Sequence, residues 1–130
     1  MIVITAFMLH FLADWVLQGP GMGRKKSESY KVLLLHIAII WATLAIGMLT
    51  HLSLWDSILL SFLNAVTHLI IDGCIWRLYR VVVWARNYKT CKVKLANDYK
   101  YWLDPVFGWF LGFDQLLHFM VLYWLYSGML

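Results

Sequence analysis

The chain alternates between long apolar runs and shorter polar connections. Four runs approach or exceed the roughly 20 mostly apolar residues that a membrane-crossing helix needs: about 1–18, 32–49, 54–76 and 106–126. They predict an all-α fold, an integral membrane four-helix bundle that forms one domain over residues 1–130. The first run stops at Gly19-Pro20-Gly21, a helix-breaking triplet. It lacks the basic start of a signal peptide, and His10 and Asp14 interrupt its apolar centre, so it reads as a mature helix. Asp104-Pro105 opens the fourth run, where aspartate can cap and proline suits the first turn. The connection 77–105 is long for a structureless loop. Its segment IWRLYRVVVWAR predicts either a continuation of the third helix or an interfacial stretch whose arginines reach lipid phosphates.

Composition strengthens the membrane reading. Hydrophobic residues make up 62% of the chain and charged residues 14%, against about 45–50% and 25% in soluble domains. Cys74 and Cys91 have no metal-type CxxC spacing and read as unpaired thiols. The net charge of +4 matters less than its placement. Arg24, Lys25, Lys26 and Lys31 fall in the first connection. Arg77, Arg80, Arg86, Lys89, Lys92, Lys94 and Lys100 fall in the third, and the second, around His51–Ser53, has neither Lys nor Arg. The positive-inside rule puts the first and third connections in the cytoplasm and both termini outside. Topology and anionic lipid headgroups account for the basic loops, and no nucleic-acid partner is expected.

Polar residues inside the apolar runs carry the chemistry. In HFLADWVLQ every fourth position is polar: His10, Asp14 and Gln18. Residues four apart share a helix face. The third run repeats the His–Asp pair as His68 and Asp72, the fourth as Asp114 and His118, and the second holds a lone His36. An Asp at the centre of a spanning helix costs about 2.5–3.5 kcal/mol on insertion scales. One such pair reads equally well as a buried hydrogen-bonded contact, but packing alone does not call for the same pair on three helices. A divalent cation would hold each aspartate ionised, use neutral imidazole and cancel the carboxylate charge. Counted from the helix ends at 1.5 Å per residue, the seven residues fall in one layer toward the cytoplasmic side.

His10, Asp14, His36, His68, Asp72, Asp114 and His118 are therefore the expected metal ligands. Seven N and O donors exceed the four of a single zinc site and suit two ions with a bridging carboxylate. Mixed N/O ligation without thiolate fits Zn, Mn or Fe, as one or two ions. Asp14, Asp72 or Asp114 could also serve as general base. Gln18 and Asn64 extend the stripes by one turn and suit outer contacts that orient ligands or touch substrate. His51, at the outer connection, and Asp56 and Asp98, read as solvated, are left out of the site.

HFLADWVLQ, THLIID and FDQLLH together resemble an uncharacterised family of small bacterial and phage integral membrane proteins. Its pattern is HFLxDxxLQ, a His early in the second span, THxxID, and a C-terminal DQxxH. The match runs through all four spans, and the DQxxH motif adds Gln115 to the site. The Lys- and aromatic-rich third connection departs from the pattern. Similar small membrane families with HxxxD motifs are often labelled membrane-bound metal-dependent hydrolases. The resemblance implies a multi-pass protein of the bacterial inner (cytoplasmic) membrane. The expected function is metal-dependent hydrolysis at a dinuclear His/Asp site opening to the cytoplasm or inner leaflet, on a phosphoester or lipid-like substrate. Two alternatives stand beside it. One is a non-enzymatic phage or bacterial membrane factor whose metal is structural. The other is a metal or proton conduit, for which the outer halves offer only Thr5, Thr43, Thr50, Ser57 and Ser61, with Ser127 at the end. A homo-oligomer is compatible with all three.

Overall fold

The computed structural model of the protein describes residues 1–18, 22–26, 28–89 and 105–128, all helical apart from short turns and caps. Helix α1 (Ile2–Phe11) runs directly into a five-residue π-helix, Leu12–Val16. A single turn, α2 (Met22–Lys25), follows. Then come α3 (Tyr30–Gly47), extended by a 3-10 turn at Met48–Thr50, α4 (Leu54–Lys89) and α5 (Pro105–Ser127). Gly19-Pro20-Gly21 and the expected cap at Asp104 lie outside the described residues.

The four long helices pack as a square. The backbone of α1 runs close to α3 and α5, and that of α4 close to α3 and α5. The diagonal pairs α1–α4 and α3–α5 make no such close backbone approach among the described residues, and α1 and α4 meet only through side chains such as His10 and His68. At Gly47 the α1 and α3 backbones come close enough that a Cβ would meet the Leu9 side chain. Ser53 caps the start of α4: its hydroxyl accepts from Asp56 N at 3.2 Å and donates to Asp56 Oδ2 at 2.6 Å.

Helix α4 continues past residue 76 to Lys89, so of the two expectations for IWRLYRVVVWAR the structure has the extension of the third helix. Its 36 residues make roughly 54 Å of helix at 1.5 Å per residue, longer than the ~30 Å hydrocarbon core of a bilayer. Three helices, Tyr30–Thr50, Leu54–Arg86 and Pro105–Ser127, are long and apolar enough to cross a membrane, whereas Ile2–Val16 is shorter.

The bundle is layered along its axis. At one end an apolar core joins Ala6, Ile40, Leu44, Met48, Leu60, Leu122 and Tyr126, with Ile2, Val3 and Phe7 packed against it. At the other end Trp76 and Tyr79 of α4 meet Phe107 and Phe110 of α5 edge-on or tilted. The layer between them is polar. Large apolar side chains face outward instead, including Trp109 at 76% and Trp124 at 77% exposure. Polar interior and apolar exterior invert the usual soluble arrangement and suit an apolar solvent.

Candidate metal centre

Each of the four long helices contributes to the polar layer. Helix α4 supplies His68 and Asp72 one turn apart, and α5 supplies Asp114 and His118 with the same spacing in the opposite chain direction. Helix α3 supplies His36 on the face that also buries Leu33, Ile37 and Ile40. Helix α1 supplies His10 from its last regular turn and Asp14 from the π-helix. All seven side chains are buried.

The π-helix changes how the first pair is used. The Leu17 N–H donates to Leu12 O at 2.9 Å, five residues back, so this turn carries more residues than an α-turn. His10 and Asp14 consequently fall in different donor groups. His10 joins His68 and His118, Asp14 joins His36 and His68, and Asp72 joins Asp114 and His118. Within each group the ligand atoms lie within 4.8 Å of one another. His68 and His118 each belong to two groups and link the three into one centre.

The separations suit direct ligation. Asp14 Oδ1 lies 3.2 Å from His36 Nε2, which lies 3.1 Å from His68 Nε2. Asp72 Oδ2 lies 3.4 Å from His36 Nε2 and 3.3 Å from His68 Nε2. Donors about 2.0–2.1 Å from one tetrahedral ion stand roughly 3.3 Å apart. Toward α5 the spacing opens slightly: His118 Nε2 is 3.5 Å from Asp72 Oδ1 and 3.7 Å from Asp114 Oδ1. The rings are crowded, with the His68 and His118 centroids stacked at 3.8 Å. His10 is the most telling member. It is 5% exposed, and neither ring nitrogen has a hydrogen-bond partner among the described residues. A buried polar group left so costs about 1–3 kcal/mol; a cation ligated by His10, His68 and His118 would remove that cost.

A cation that the sequence reading assigned to the loop also enters the layer. Lys26 follows α2, its N–H donating to Met22 O at 2.8 Å, and its side chain is only 6% exposed. Its Nζ lies 2.8 Å from Asp72 Oδ2, 3.4 Å from His36 Nε2 and 3.5 Å from Asp14 Oδ1. Burial opposes the charge, but Asp72 and Asp14 outweigh it and hold the Lys26 pKa above the ordinary lysine value. Nothing in the sequence separates Lys26 from Lys25 or Lys31, which stay exposed. In this structure the ammonium of Lys26 sits against the carboxylates, and every member of the layer is buried.

The outer partners divide. Gln115 donates from Nε2 to Asp14 Oδ2 at 3.1 Å and to Asp114 Oδ2 at 3.4 Å, while its Oε1 accepts from Trp15 Nε1 at 3.5 Å. It ties the π-helix of α1 to α5. Asn64 is buried one turn above His68, and its Nδ2 has no hydrogen-bond partner among the described residues. Gln18 is half-buried and lies beyond the π-helix rather than on a continuous helical stripe. Gln115→Leu is expected to weaken metal binding about 10-fold while leaving the saturated metal content unchanged, because it frees two carboxylates without removing a ligand. Competition with a chromophoric chelator measures both quantities.

Of the polar residues in the apolar half weighed for a conduit, Ser57 and Ser61 are fully buried on α4, on the side that continues through Asn64 to His68; Tyr126, which the sequence did not single out, is fully buried on α5. His51, set aside earlier, pairs with Thr5 Oγ1 at 3.0 Å and links the second connection to the start of α1.

Comparison with curated proteins and with solved structures finds no match. A family model does match, over residues 2–130, and so takes in every helix and every residue of the centre. The chain belongs to the family described as protein of unknown function DUF3307.

Proposed function

We propose that this protein is a membrane-embedded, metal-dependent hydrolase of the bacterial inner membrane, its centre built from His10, Asp14, His36, His68, Asp72, Asp114 and His118. The observation that carries the reading is the His10 ring, buried with both nitrogens unpartnered among the described residues and grouped with His68 and His118 at ligand distances. A bound divalent ion of the Zn, Mn or Fe class supplies an activated water and a clamp for a phosphoryl or acyl oxygen. The protein's own groups do the rest. Gln115 holds Asp14 Oδ2, which leaves Oδ1 directed at His36 and Lys26. Asp72, between three imidazoles and Lys26, holds charge at the middle of the layer.

The test has two steps. Protein extracted gently in detergent should carry about one to two equivalents of a transition metal. The loaded protein should then hydrolyse a member of a phosphoester and lipid panel, with activity lost on chelation. Metal-free, natively folded protein ends the reading. A second reading, a metal that only locks the bundle, is favoured by the burial of every donor; bound metal with no turnover on any panel member selects it.

Orientation is part of the proposal. With α1 counted as a fourth span, the basic connections face the cytoplasm and both termini face outward. An impermeant amine label applied to intact cells is expected to miss Lys25, and a reporter at the C-terminus is expected to be accessible from outside. A cytoplasmic C-terminal signal reverses the topology.

A further inference from the structure

The position of Lys26 bears on how much metal the centre holds and on what else it takes, and the inference rests on the metal reading above. Three carboxylates, Asp14, Asp72 and Asp114, and one ammonium, Lys26, are buried in the layer. No other Lys, Arg or Glu is buried among the described residues. With the imidazoles neutral, as ligands are, the layer carries two net negative charges. One divalent ion brings it to neutrality. A second ion would leave two positive charges inside an apolar bundle, where unbalanced charge is strongly disfavoured.

We infer that Lys26 makes metal loading depend on an anion: the centre holds one divalent ion alone and takes the second together with a dianionic phosphomonoester, whose oxygens pair with the Lys26 ammonium. Lys26 is placed for this exchange. Its Nζ touches the donor edge formed by Asp14 Oδ1, His36 Nε2 and Asp72 Oδ2, the edge that ions in the layer would share. Ions drawing on Asp14 and Asp72 compete with the ammonium for the same oxygens. An ammonium so displaced, on a flexible side chain at the basic connection, needs an anionic partner. A phosphomonoester carries about two negative charges near neutral pH and matches the charge left over. Both a free phosphate ester and a lipid with a phosphomonoester headgroup offer this chemistry.

Manganese content of the full-length protein tests it, in four arms. Metal-free protein is equilibrated with excess Mn²⁺ in chloride alone, with inorganic phosphate, in phosphatidylcholine nanodiscs, and in nanodiscs containing phosphatidic acid. The wild type is expected to hold about one ion in chloride and in phosphatidylcholine, and about two with phosphate, phosphatidic acid or both. The arm that responds identifies the free or the lipid-borne source. Lys26→Met and Lys26→Gln remove the ammonium and are each expected to move toward about two ions in chloride alone, whereas Lys26→Arg keeps the charge and behaves as wild type. Using both neutral variants guards against one that folds poorly. Two ions in wild type without an anion, one ion in every arm, or neutral variants that bind less metal than wild type overturn the inference and leave the metal reading standing. Protein that binds no manganese in any arm fails both.

Discussion

Replacing His68 by alanine is expected to strip the centre of its metal, with affinity falling by roughly 100-fold or more. Apparent binding energies of about 10–16 kcal/mol for four-ligand zinc sites imply about 3 kcal/mol for each ligand, a factor near 100. His68 should sit at or above that figure because it serves two donor groups. It lies 3.1 Å from His36 Nε2 and 3.3 Å from Asp72 Oδ2, and its ring stacks on His118. His36 and His10 each belong to one group, so alanine at either position should leave part of the bound metal in place. Elemental analysis of detergent-purified variants, read beside their helical circular dichroism, gives the ranking. If His68→Ala keeps the wild-type metal content, or if His10, His36 and His68 variants lose metal equally, the linked centre is wrong.

The ranking draws on features that were unequally legible in the sequence. His68/Asp72 and Asp114/His118 lie on regular α-helix, so four-residue spacing alone places each pair on one face, and the structure brings both pairs into the layer. His10/Asp14 has the same spacing but is interrupted by the π-helix at Leu12–Val16. One added residue in a turn leaves no mark in an apolar segment such as LADWV, yet it sends Asp14 to His36 while His10 stays with His68 and His118. Gln115 became visible through the DQxxH pattern; its link from Asp14 to Asp114 needed the packing of α1 on α5. Lys26 was illegible for another reason. A basic residue beside a membrane helix is sufficiently explained by topology, and its burial depends on how the chain turns back between α1 and α3. The end of α4 was half legible: the sequence left IWRLYRVVVWAR as a helix continuation or an interfacial stretch, and arginines with apolar stems and aromatic neighbours let the helix continue to Lys89.

The same Lys26 gives the largest stability effect. In metal-free protein Asp72→Leu is expected to destabilise the bundle by about 3–5 kcal/mol, since it leaves a buried ammonium without its nearest carboxylate. That contact is 2.8 Å long between side chains 6% and 0% exposed. Lys26→Met should cost a similar amount, because Asp72 and Asp14 then lose the ammonium that lies against both. The double variant should recover much of the loss, for an apolar pair is often as stable as the buried ion pair it replaces. Unfolding of the four proteins in mixed detergent micelles, with chelator present, closes the cycle. A coupling near zero would mean that the ammonium is solvated and does not balance the layer. Divalent metal then separates the two singles. It should restore Lys26→Met, because a bound cation neutralises the carboxylates that the lysine had held. It should do little for Asp72→Leu, whose donor oxygens are gone. Equal rescue of both variants would place the ion away from Asp72 and its neighbours.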